Sequence, residues 1–141
     1  MLSFPVAQIL VPIDFSDLSM TALDSAKTMV KSPSGLHVVS ILAPIMPPSP
    51  GIVWGTIDDR ERIESVRNEL KSLLEQRGLG EAQMHVRVGT PASEVAKLVD
   101  DLPIDLVVLT SHGRTGLARF AMGSVAELIV RHAKSPVLVL K

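Results

Sequence analysis

Cysteine is absent from the 141 residues, and with it go disulfides, thiolate metal sites and cysteine nucleophiles. Tyrosine is absent too. One Trp and three Phe are too few to build a stacking platform for single-stranded bases. Neither sign of charge dominates: 14 Lys and Arg stand against 15 Asp and Glu, a net charge of −1, which removes the electrostatic case for sequence-independent nucleic-acid binding. No apolar run approaches the roughly 20 residues of a membrane-spanning helix. Met1–Val6 lacks the basic and apolar regions of a signal peptide, so a cytoplasmic location without a membrane partner is expected. Two phosphate motifs are also missing, the G-x-x-x-x-G-K-[ST] loop and a G-x-G-x-x-G after the first strand, which argues against P-loop NTPases and Rossmann dehydrogenases. No serine has the G-x-S-x-G context of a hydrolase nucleophile.

What is present is an ordinary soluble composition, 46% hydrophobic and 21% charged, in a length that predicts one domain over residues 1–141. Apolar periodicity alternates between strand and helix. Strands are predicted at Gln8–Ile13, Leu36–Leu42, Gln83–Val88, Leu106–Leu109 and Pro136–Leu140. Helices are predicted at Ser16–Val30, Thr56–Arg77, from Thr90-Pro91 onward, and at Val125–His132. Ser16 suits an N-cap, Leu18, Ala22, Ala26, Met29 and Val30 mark a buried stripe, and Gly78 and Gly80 end the longest helix. Between Ala43 and Gly55, prolines at 44, 47, 48 and 50 exclude regular structure, and Ile52, Val53 and Trp54 stand in that loop as a possible partner contact. This alternation predicts an α/β fold, a parallel sheet with right-handed crossovers and helices on both faces. In such sheets a ligand crevice opens at the carboxyl ends of the strands, where strand order reverses, so the loops after strands one and four are the candidates.

Those loops hold Asp14 and the segment Thr110-Ser-His-Gly113-Arg-Thr-Gly116, followed by Gly123-Ser-Val-Ala-Glu127. Glycines and small hydroxyl residues between a strand and a helix expose several backbone N–H groups together, a cradle suited to phosphate. Each residue also has a plainer reading. Gly113 and Gly123 also read as turn glycines, though their joint spacing with Ser124 favours the cradle, and Asp14 reads as a turn aspartate that caps the next helix. Ile41 reads as core, Arg114 as an exposed loop arginine, and Ser124 with Glu127 as a capping box. His112 reads as a hydrogen-bonded loop residue, while His37, His85 and His132 fall on separate elements and form no constellation.

The stretches Ile9-Leu-Val-Pro-Ile-Asp14-Phe-Ser16, Val88-Gly-Thr-Pro91, Ser111-His-Gly113-Arg-Thr, Gly123-Ser-Val-Ala-Glu127 and Ser135-Pro-Val-Leu-Val-Leu140 resemble the universal stress protein family, in order along nearly the whole chain. The resemblance implies a five-stranded parallel sheet of the adenine-nucleotide α-hydrolase type and a homodimer paired through strand 136–140. It further implies a site for ATP or another adenine nucleotide with Mg²⁺, lined by Pro12, Asp14, Ile41, Leu109, Thr110, Gly113, Arg114, Gly123, Ser124 and Val125. One branch carries G-x-x-G, nine residues, then G-[ST]; here Thr110 replaces the first glycine. Strand geometry at Thr110 makes that harmless, whereas a positive φ would not. Three functions follow from the resemblance: a nucleotide-binding sensor or adaptor without catalytic residues, an interaction module of the same fold that binds no nucleotide, or a slow ATPase.

Overall fold

Five parallel strands and four helices alternate along the chain in this computed structural model, which describes residues 1–45, 59–112 and 122–141. The strands are β1 (Ile9–Ile13), β2 (Leu36–Leu42), β3 (Gln83–Val88), β4 (Leu106–Thr110) and β5 (Val137–Leu140). Between them run α1 (Asp17–Met29), α2 (Asp59–Gln76), α3 (Pro91–Asp101) and α4 (Ser124–His132). The sheet order is β3-β2-β1-β4-β5, so the chain winds outward from β1 through β3 and then crosses to the other side of β1. That reversal sets the switch point between β1 and β4.

The central strands β1 and β4 are apolar on both sides because each side is covered, as a parallel sheet requires, whereas the edge strand β3 exposes Gln83 and Arg87. Ile9, Val11, Leu36, Val38 and Val108 pack with Ala22, Leu23 and Ala26 of α1 and Leu70 and Leu74 of α2. Leu10, Val39, Val107 and Leu109 pack on the opposite face with Val95, Leu98 and Val99 of α3 and Ala126 and Ile129 of α4. Leu18, expected on the buried stripe of α1, lies in its first turn and is exposed, while Leu23 takes the core position. The segment expected to carry Ile52, Val53 and Trp54 lies outside the described residues, as do residues 56–58 at the expected start of α2.

Helix ends follow local chemistry. Ser16 caps α1, its Oγ accepting from the Ser19 amide at 3.2 Å. Ser16→Ala is expected to cost about 1 kcal/mol in urea unfolding; an unchanged midpoint would mean that the cap contributes nothing. At the other end of α2, Gly78 adopts φ +71° and the Leu79 amide reaches back to the Leu74 carbonyl at 2.8 Å. This is a left-handed glycine stop, with buried Leu79 as its apolar anchor.

The strand ladders are unequal. β1 pairs with β2 over five residues, Ile9↔Leu36 to Ile13↔Ser40. With β4 it pairs only at Ile9↔Leu106 and Leu10↔Val107. Pro12, which has no N–H to donate, lies where that second ladder has already ended.

Candidate functional site

The turn after β1 is built from short polar side chains. Phe15 is held at φ 63°, a left-handed conformation that an aromatic residue adopts only when its neighbours impose it. Asp14 Oδ1 accepts from the Ser16 amide at 3.0 Å, and the buried Ser19 donates through Oγ to the Ser16 carbonyl at 2.9 Å. The Phe15 ring packs against the core on the α1 side. Asp14 therefore braces the turn, as its plainer reading expects, and also lines the crevice.

Across the seam, β4 ends at Thr110, which pairs with Leu140 in β geometry. Its Oγ1 donates to the His112 carbonyl at 2.7 Å. No left-handed conformation is required there, so a β-branched residue is accommodated where the resemblance places glycine. Gly123 is different. Its amide donates to the Ser111 carbonyl at 2.6 Å, and a Cβ added to it would lie 2.9 Å from that same oxygen. Close approach, not a special φ, is what demands glycine here.

Gly123 is also the N-cap of α4, with no side-chain cap on the helix. The expected capping box does not form. Ser124 is the first helical residue rather than the cap, and the Glu127 carboxylate instead accepts from Arg131 Nη2 at 2.8 Å, one turn along the exposed face. The first-turn amides of α4 have no partner inside the helix, the kind of donor set that suits an anion.

Between these two turns lies a cavity of about 310 Å³. Its walls include Pro12, Asp14, Ile41, Leu109, Thr110, Gly123, Ser124 and Val125, brought together from four elements and their loops. Gly113 and Arg114 lie outside the described residues. Ile13, Ser19, Val39, Pro91, Ser111, His112, Ala126 and Ile129 complete the wall. Of these, Ser111 and His112 belong to the small-residue segment singled out in the sequence, whereas the other six read individually as core, cap or loop. The side chain of His112 corrects its sequence reading: Nδ1 is buried and has no hydrogen-bond partner among the described residues, although the backbone carbonyl is satisfied by Thr110. The lining thus offers an apolar floor (Val39, Ile41, Leu109, Ile129), a carboxylate at one lip, and helix-start amides at the other. A flat apolar ring with a polar, anionic tail matches that division.

The sequence profile of the universal stress protein family matches residues 6–141. The chain belongs to the universal stress protein family. Among curated members, it is 30% identical to universal stress protein MJ0531 of Methanocaldococcus jannaschii over 142 residues, covering 95% of this chain and 81% of that one. Universal stress protein MJ0577 of the same organism is 28% identical over 152 residues, covering 95% and 94%. Universal stress protein UspA from Lactobacillus plantarum superposes with a TM-score of 0.73 at 23% identity, covering 96% and 97% of the two chains. A universal stress protein solved in complex with cAMP superposes with a TM-score of 0.67 at 22% identity, covering 96% and 97%. These superpositions show the universal stress protein fold, and the crevice of this chain lies where the strand order reverses, as in other doubly wound α/β sheets.

Away from the crevice, His37 and His85 lie on separate strands as expected, but they meet, which corrects the expectation that the histidines form no constellation. His37 Nδ1 and His85 Nε2 are 3.0 Å apart, and His37 Nε2 lies 2.7 Å from Gln8 Oε1. They lie 48 positions apart in sequence, and only the β2–β3 register, His37↔Gln83 and Val39↔His85, brings them together. Burial lowers the pKa of His37. The His85 pKa falls to about 4, first by desolvation and then through the positive charge of His37, Arg87 and Arg67.

A folded-state pKa below the ordinary histidine value of 6.5 means that the unfolded chain binds the extra proton first. The stability held by the neutral pair is therefore complete above pH 6.5 and is lost as pH falls toward 4. Because the outer edge of His85 meets water, the loss is expected to be about 1–2 kcal/mol. Urea unfolding of wild type and His85→Gln at pH 7.5, 5.5 and 4.5 reads it as a gap that narrows in acid. A gap independent of pH would remove the pair from the acid limb.

Proposed function

We propose that this chain is a small cytoplasmic adenine-nucleotide-binding stress-response protein that works as a sensor or adaptor rather than as an efficient enzyme. One observation carries the reading. The uncapped first turn of α4 is held against the end of β4 by Gly123, and it faces a cavity whose opposite lip is Asp14. Val39 and Ile41 give an adenine ring an apolar bed, and Asp14 accepts from ribose hydroxyls. The α4 amides hold phosphate oxygens with help from the helix dipole. The unpartnered Nδ1 of His112 supports a polar occupant, since a buried ring nitrogen without a partner costs free energy that a ligand hydrogen bond restores. Mg²⁺ enters with the triphosphate, holding its oxygens and waters. In one solved universal stress protein of this fold the ligand is cAMP, also an adenine nucleotide.

Calorimetry with MgATP, AMP and cAMP, together with mass spectrometry of freshly purified protein for carried-over nucleotide, tests this. Micromolar binding of an adenine nucleotide is the expected result. No heat at millimolar nucleotide would leave an interaction module of the same fold as the reading to pursue.

The same reading includes a homodimer. β5 is an edge strand whose four apolar residues are only half-buried, and nearby Val125 and Leu128 of α4 are exposed. An unpaired apolar edge is a standing aggregation hazard, which pairing with a second copy removes. Sedimentation equilibrium is expected to give a dimer at micromolar protein; a stable monomer there would sink the assignment.

A further inference from the structure

The contact between His37 and His85 lies toward the amino ends of the strands, at the opposite end of the sheet from the crevice. Gln8 precedes β1, His37 is the second residue of β2 and His85 the third of β3. Alternation puts His37 on the same side as Val39, the face covered by α3 and α4, and the register puts His85 beside Val39. His37 is 6% exposed, whereas His85 sits on the edge strand and is only partly covered.

The two rings are close to coplanar, with 19° between their planes and centroids 5.3 Å apart. That separation equals the 3.0 Å N···N distance plus one ring radius at each end, so the two nitrogens face each other along one line. Gln8 Oε1 accepts from His37 Nε2–H, which fixes Nδ1 as the unprotonated nitrogen of His37. At present the His85 Nε2 proton occupies the point between the two rings.

We propose that His37 Nδ1 and His85 Nε2 form an in-line, two-coordinate site for a monovalent d¹⁰ metal ion of the copper(I) and silver(I) type. Three observations select that class. Linear coordination by two neutral imidazoles suits such ions, whereas zinc and other divalent ions want four or more donors. Among the described residues, no third His, Cys, Asp or Glu joins the pair. Arg87 and Arg67 place positive charge nearby, which opposes a divalent ion more than a monovalent one. Both rings are neutral at pH 7, as ligands must be.

Binding involves no redox change. Each nitrogen donates one lone pair to the ion, and the His85 proton moves from Nε2 to the outward Nδ1, so no net proton is released. Two metal–nitrogen bonds of about 2 Å need the nitrogens about 4 Å apart. The 3.0 Å contact must therefore open, and His85 can move because β3 pairs on one side only.

Silver(I), inert to air oxidation, is the first probe, titrated into the full chain at pH 7 and followed by ¹⁵N-resolved NMR of the histidine rings. One equivalent is expected to switch His85 from the Nε2–H to the Nδ1–H tautomer and to leave His37 protonated on Nε2. Anaerobic competition with a chromogenic copper(I) chelator should give the same one-to-one stoichiometry. His85→Gln and His37→Gln should each weaken binding about tenfold or more, and His132→Gln should not. The six methionines are alternative soft ligands. Silver binding that leaves the His85 tautomer unchanged, or no silver uptake at all, would overturn the proposal. The tautomer signal comes from wild-type protein, so it decides the matter even where a variant fails to fold. Nucleotide titration of the same samples reads the crevice separately.

Discussion

Gly123→Val is expected to abolish adenine-nucleotide binding. The Cβ of any side chain at this position would lie 2.9 Å from the Ser111 carbonyl oxygen, a backbone atom that cannot rotate away. The oxygen is held there because it accepts the Gly123 amide at 2.6 Å, the contact that seats the start of α4 against the end of β4. Valine adds two methyl groups beyond that Cβ, so the first turn of α4 must move outward. The amides it presents then no longer converge on the cavity. A loss of at least a hundredfold in affinity, about 2.7 kcal/mol, is the expected size in a calorimetric titration. Gly123→Ala should lie between wild type and Val, since it brings the Cβ contact without the branch. The helical circular dichroism of both variants should survive, because the core on the α1 and α2 face does not involve α4. A folded Gly123→Val that binds nucleotide within about threefold of wild type would move the phosphate site away from α4.

Gly35→Ala is expected to be the most destabilising single methyl in the described part of the chain. Its Cβ would stand 2.0 Å from the Ala7 carbonyl oxygen and 3.2 Å from the Ala7 carbonyl carbon. Both belong to the backbone just ahead of β1, the central strand, while Gly35 closes the short 3₁₀ turn Pro33–Gly35 that feeds β2. Neither segment can yield without disturbing the Ile9↔Leu36 pairing next to it. Overpacking of this kind costs about 3 kcal/mol, read as a lower urea midpoint at unchanged slope and a Tm lower by roughly 10 °C. Gly80→Ala is the matched control, since the Cβ there would meet only Glu75 Cγ at an ordinary 3.9 Å. If the two variants unfold together, the Ala7–Gly35 approach is not a constraint on folding.

These predictions mark where sequence reading stops. The order of strands and helices was legible because period-two and period-3.6 apolar patterns alternate cleanly between Ile9 and Leu140, and most cover residues are apolar on schedule. The crevice was legible for the same reason, since β/α alternation alone directs attention to the loops after β1 and β4. Contacts between segments distant in sequence were not legible. Nothing in the sequence marks Gly35 as a packing constraint, because the backbone of Ala7 that crowds it is distant along the chain. His37 and His85 read as unrelated until the β2–β3 register aligns them. The Ser124–Glu127 spacing satisfies a capping box in one dimension, yet the helix begins one residue earlier than that motif needs, with Gly123 as its cap. Gly113 and Arg114, the remaining parts of the expected phosphate loop, fall outside the described residues.

The two-rung ladder between β1 and β4 has a mechanical side. It divides the sheet into a three-strand panel and a two-strand panel, joined within the sheet only near the amino ends of the strands. Beyond Leu10 and Val107 the panels part, and Pro12 has no hydrogen to offer across the gap. The cavity is the mouth of that wedge, with Asp14 on one jaw and Thr110 and Gly123 on the other. Whatever fills it acts as a clip, and its binding free energy adds directly to the cohesion of the two panels. The amides of Val11, Ile13 and Val108–Thr110 should then report occupancy through slowed hydrogen exchange, even though the backbone trace stays where it is.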